Sequence, residues 1–122
     1  MILTVLTYIA CGLTLLLIGT MAWLFWTDPE RGLRETTHRR DLLPRVMADR
    51  YTAFAFLTLA FTIYGDFNVL AILFVSCAII GFCDGWIYAR AGQPHFKHTF
   101  SGVLAIVALA VTLAAQIFEK GS

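Results

Sequence analysis

Residues 69–90 read VLAILFVSCAIIGFCDGWIYAR, and no charged side chain occurs in this run before Asp84. At about 1.5 Å per residue in a helix, such a run covers the roughly 30 Å of hydrocarbon in a bilayer. It alternates at neither a strand period nor a one-sided helical period, so it reads as a helix that is apolar all round. That is the signature of a membrane span. Asp84 violates the pattern. A charge at the centre of a span costs roughly 2.5–3.5 kcal/mol on insertion scales, so it has a partner or a purpose.

Three further apolar runs flank this one. Met1 to Trp26 carries no charge. It lacks a basic leading region and a small-x-small cleavage site, so it is expected to be a retained span rather than a signal peptide. The four spans are placed at 2–26, 42–64, 69–90 and 98–118, in one transmembrane domain over residues 1–122. The composition agrees: of 122 residues, 59% are hydrophobic and 14% charged, where a soluble domain carries about a quarter charged. Short connections between four spans predict an all-α, integral-membrane, up-down four-helix bundle. A net charge of +1 excludes the basic stripe that nucleic-acid binding needs, so no nucleic-acid partner is expected. Cys11, Cys77 and Cys83 are odd in number, lack CxxC spacing and lie in apolar runs. They read as small hydrophobes rather than as disulfide or metal ligands.

The connections carry the turn chemistry. Thr27-Asp28-Pro29-Glu30 is a helix start, with an acceptor cap followed by proline, but Gly32 predicts that it stops as a short turn. Asp41 can cap the second span, where Pro44 falls in the tolerant first turn. Gly65-Asp66-Phe67-Asn68 reads as a tight turn, and Ala91-Gly92-Gln93-Pro94 as a helix stop. Arg31, Arg34, Arg39, Arg40, Arg45 and Arg50 flank the first polar connection, and Arg90 and Lys97 the third, against Lys120 alone on the other side. The excess of Lys and Arg in cytoplasmic loops places those two connections in the cytoplasm, with both termini and the Asp66 turn outside it.

Four polar residues then fall in one leaflet: Asp49 and Arg50 opening the second span, Asp84 late in the third, and His98 opening the fourth. Residues three or four apart share a helix face. Asp49 lies with Ala53, Phe56 and Ala60, Asp84 with Cys77, Gly81 and Tyr88, and His98 with Ser101, Gly102 and Ala105. Small residues mark where membrane helices approach closely, so Gly81, Gly85 and Gly102 are read as helix-packing positions. The four polar side chains are candidate catalytic groups, with Tyr51, Trp86 and Tyr88 as candidate substrate contacts and His95 nearby. Plainer readings exist for each: Asp49 and Arg50 as interfacial groups, with Arg50 reaching the headgroups, His98 as a solvated helix start, and Asp84 as one half of an ion pair with Arg50 or Arg90.

The quartet resembles that of a family of small bacterial and fungal four-helix membrane proteins of unknown function. The resemblance rests on Asp49-Arg50, on Asp84 within Gly81-Phe82-Cys83-Asp84-Gly85, and on His98, and covers roughly residues 45–110. It implies the fold and the polar constellation but no reaction, and the pair here is ordered Asp-Arg.

Two functions compete. In the first, the site binds a lipophilic small molecule and transforms it by acid/base chemistry of the isomerase, cyclase or hydrolase type. One carboxyl would stay protonated while another is held charged by Arg50, with His98 relaying protons. In the second, the chain is a non-enzymatic accessory or assembly subunit that docks on other membrane helices, or on copies of itself. Proton-coupled transport is a third, disfavoured because neither internal repeats nor broken helices are evident. No cofactor and no metal is expected. His95 and His98 alone would be two ligands without a third, and no nucleotide loop, HExxH or nucleophile elbow occurs.

Overall fold

The computed structural model describes residues 1–119, with side chains described for all of these except 10–12. The Cys11 side chain and Lys120, both used above, lie outside the described residues. Among the described residues every regular element is helical: α1 (Ile2–Thr27), α2 (Pro29–Glu35), a 3-10 turn at Arg40–Leu42, α3 (Leu43–Tyr64), α4 (Phe67–Arg90) and α5 (Phe96–Phe118). Four of these segments are long and apolar enough to cross a membrane: Ile2–Thr27, Arg40–Tyr64, Phe67–Arg90 and Phe96–Phe118. The chain divides into two compact units, Met1–Tyr51 and Thr52–Ser122, with the division inside α3.

In the first unit, proline and a capping aspartate end α1 and start α2. A residue before proline is pushed out of the helical region. Asp28 accordingly sits at φ −149° and ψ 81°, while its N–H still donates to the Leu24 carbonyl at 2.8 Å. Its carboxylate accepts from the Arg31 N–H at 3.1 Å, satisfying one orphan donor of α2. Gly32 does not stop the helix, contrary to the sequence expectation, and α2 runs on to Glu35. The reason is packing: a Cβ at position 32 would lie 2.9 Å from the Phe25 ring, so glycine lets α2 close onto the end of α1 beside buried Leu24. The charges of this connection pair locally, Arg31 with Glu35, Arg39 with Asp41 and Arg40 with Glu30. Exposed pairs of this kind add little stability.

The end of α2 is strained. His38 N–H donates to the Leu33 carbonyl at 2.8 Å and Thr37 N–H to that of Arg34 at 3.0 Å, the paired bonds of a Schellman stop. That motif puts Thr37 in the left-handed region at φ 57°, where a β-branched residue is disfavoured by about 1–2 kcal/mol. Thr37→Gly is therefore expected to raise the local opening free energy of α2 by about 1 kcal/mol. Amide hydrogen exchange in detergent should slow over residues 32–38. Unchanged or faster exchange would show that the turn carries no strain.

In the second unit, Gly65 at φ +76° turns the chain out of α3, and Asp66 caps α4 by accepting from the N–H groups of Asn68 (2.8 Å) and Val69 (3.4 Å). That cap starts α4 at Phe67, two residues before the expected Val69. At the far end, Gln93 N–H donates to the Tyr88 carbonyl (2.9 Å) and Gly92 N–H to that of Ala89 (3.1 Å), with Gly92 at φ +69°. Here a glycine occupies the left-handed position at no steric cost. α5 starts at Phe96 rather than at His98, with His95, directly after Pro94, at the N-cap position but making no side-chain cap bond.

α4 and α5 pack as a close antiparallel pair on small residues. The buried positions of α4 include Ala71, Ala78, Gly81 and Gly85, and those of α5 are Gly102, Ala105 and Thr112. Ala71, Ala78 and Gly85 recur at the seven-residue interval that keeps one face toward a partner helix. A Cβ on Gly81 would lie 2.5 Å from the Gly102 nitrogen and one on Gly85 2.6 Å from Thr99 Oγ1. At the opposite end Gln116 Nε2 donates to Asn68 Oδ1 at 2.8 Å, so the register holds along the whole pair. The part of α3 in this unit buries no residue. Hydroxyls along the apolar helices bond to their own helix: Thr58, Thr62, Ser76 and Thr112 each donate to the carbonyl four residues back. Such bonds remove the cost of a bare hydroxyl in hydrocarbon.

Candidate functional site

The tight crossing fixes what stands beside it. Asp84 is one residue before Gly85 and His98 one before Thr99, so the contact between Gly85 and Thr99 brings the two side chains to the same level. Asp84 Oδ2 lies 3.8 Å from His98 Nδ1, with the side chains 38% and 35% exposed. This is longer than a hydrogen bond, and acid/base pairs often tighten only around a bound ligand. Tyr88, one turn along α4, stacks on the imidazole with ring centroids 4.6 Å apart and planes 28° apart. Ser101 Oγ donates to the His98 carbonyl at 2.7 Å, and His95 Nδ1 lies 3.2 Å from Thr99 Oγ1.

The imidazole turns its Nδ1 edge toward the carboxylate, across a gap longer than a hydrogen bond. The Tyr88 ring, stacked on the imidazole, limits its rotation. Such a pair can take a proton from a hydroxyl or water and return it.

Asp49 and Arg50 lie in the first unit. Arg50 Nη1 donates to Asp49 Oδ1 (3.3 Å) and to the Val46 carbonyl (3.2 Å), and its Nη2 lies 3.5 Å from His38 Nε2. His38 Nδ1 is 3.1 Å from the Thr36 carbonyl, which calls for a proton on Nδ1 and leaves Nε2 to accept from Arg50. His38 was not among the candidates; it stands in a polar connection with no periodicity to mark it. Thr99 also escaped notice, since its place opposite Gly85 follows from the register and not from its own helix face.

Of the candidate substrate contacts, Tyr88 joins the Asp84–His98 pair. Trp86, two residues from Asp84, is turned by about 200° around α4, and the Arg90 guanidinium sits 5.1 Å from its ring centroid. Tyr51 is exposed in the first unit. Gly81, Gly85 and Gly102 are buried where α4 meets α5. Cys77 and Cys83 are free, half-buried thiols. Among the described residues no group of three His, Cys, Asp or Glu side chains is placed to hold a metal ion. No family model, no curated protein and no solved structure matches the chain.

Proposed function

We propose that the chain is a multi-pass membrane protein whose Asp84–His98 pair binds a lipophilic small molecule and acts on it by acid/base chemistry. Its four spans cross in alternation as an up-down bundle, with the two Arg-bearing connections in the cytoplasm and both termini outside. The observation that carries this reading is the 3.8 Å approach of Asp84 to His98 under the Tyr88 ring, beside the small-residue seam of α4 and α5. A pair needed only to hold the helices together has no evident use there, because the glycine crossing already brings them into contact. Asp49 and Arg50 are assigned to the membrane interface, where Arg50 donates to Asp49.

A second reading is favoured by the small-residue seam of α4 and α5, the kind of surface on which membrane helices dock closely on one another. In that case the protein is an accessory or assembly subunit. Extraction in mild detergent, followed by native mass spectrometry, separates the two. The enzyme-or-binder reading expects a discrete lipophilic mass carried by the chain or its homo-oligomer. A fixed protein partner with no small molecule would overturn it in favour of the subunit.

A further inference from the structure

We propose that the ligand of the Asp84–His98 pair is a single-chain amphiphile held by a hydroxyl head, its tail lying along the outer faces of α4 and α5 rather than between them. This rests on the membrane-binding reading above and adds the class of ligand.

Depth is the first ground. Arg90 closes α4 with its guanidinium over Trp86, a cation–aromatic pair of the kind that sits at headgroup level. Asp84 is six residues back, about 9 Å along the helix, and His98 is the third residue of α5. The pair therefore stands just below the headgroups, where the polar end of an amphiphile resides.

Closure beneath the pair is the second. One turn deeper, a Cβ on Gly81 would meet Gly102 backbone nitrogen at 2.5 Å and Cα at 2.7 Å. Two backbones this close leave no passage between α4 and α5 toward the bilayer centre. A tail must run outside the seam, over exposed side chains such as Ile80, Phe82 and Leu104. The group that reaches Asp84 and His98 is then at the interfacial end of the ligand, not in the middle of its chain.

Hydrogen-bonding capacity is the third. A carboxylate only accepts, whereas an imidazole can donate. A hydroxyl does both, giving its proton to the carboxylate and accepting from the ring. A carboxylate head would face Asp84 with like charge, and a hydrocarbon segment offers neither function.

The test uses the full chain in phosphatidylcholine vesicles, with two photoreactive long-chain primary alcohols. One carries its diazirine beside the hydroxyl, the other at the tail terminus. Peptide mapping is expected to place the head-group label around Tyr88 and His98, with the tail label on the outer faces of α4 and α5. Unlabelled alcohol should compete at least about tenfold better than a fatty acid of equal length, the factor expected when a hydrogen bond to a charged group is replaced by repulsion. Tail label at Tyr88 and His98, or equal competition by the fatty acid, would overturn the hydroxyl-head inference and leave the lipophile reading standing. Label at the pair from neither probe would overturn both.

Discussion

Gly81→Ala is expected to be the most damaging single-methyl addition in the chain, costing about 1–3 kcal/mol, as overpacking of a close contact does. The new Cβ would meet the backbone nitrogen and Cα of Gly102, and backbone cannot swing aside. The other glycines supply graded controls. At Gly85 the nearest obstacle is Thr99 Oγ1, with the Thr99 backbone nitrogen at 3.3 Å, and at Gly102 it is the Phe82 ring, so in both the closest atoms belong to side chains, which can shift where backbone cannot. At Gly19 nothing lies within 4 Å, so Gly19→Ala is expected to be neutral or slightly stabilising through helix propensity. Unfolding in mixed detergent should rank Gly81→Ala below Gly85→Ala and Gly102→Ala, with Gly19→Ala at wild-type stability. Equal stability of Gly81→Ala and wild type would mean that α4 and α5 do not cross at this point. Lipid offers no hydrophobic drive to hold two apolar helices together, so that crossing depends on the fit itself.

Asp84→Asn is expected to abolish ligand retention and turnover while leaving the amount of folded protein unchanged. Two magnitudes decide this. A partly exposed ion pair contributes about 0–1 kcal/mol to stability, too little to unfold the chain. An acid/base group positioned on its substrate contributes roughly 10²–10⁴-fold in rate. Asparagine keeps the shape and loses the charge, so the substitution separates the two roles. Folded yield is read by size-exclusion chromatography and ligand by mass spectrometry of the purified protein. A drop in yield with ligand retained by the surviving fraction would make Asp84 a structural residue.

Much of the helical architecture was legible in the sequence, because uninterrupted apolar runs of span length have few other solutions. The misses are local and physical. α4 and α5 each begin two residues before the expected start, and α4 does so because Asp66 caps it from a position read as turn. Gly32 reads as a stop because glycine lowers helix propensity; its use as a flat contact for Phe25 depends on how α2 folds back, which no local pattern records.

The candidate site was legible to a smaller degree. Asp84 and His98 stand at equal distances on either side of Ala91, so an antiparallel pair joined at residues 91–95 sets them level. Helix faces and depth also grouped Asp49 and Arg50 with them. Those two residues lie in the first unit, where Arg50 also meets His38. Trp86 was grouped by proximity in sequence, although a two-residue step turns it to a different side of α4.

The central claim is that Asp84 and His98 act as one unit on a bound lipophile, and a double-mutant cycle on ligand retention tests it most directly. Wild type, Asp84→Asn, His98→Gln and the double variant are extracted identically, and bound lipophile per folded chain is measured. The account expects each single variant to lose most of the ligand and the double variant to lose no more than the worse single, because removing either member disables the pair. Losses that simply add, or full retention by Asp84→Asn, would contradict it.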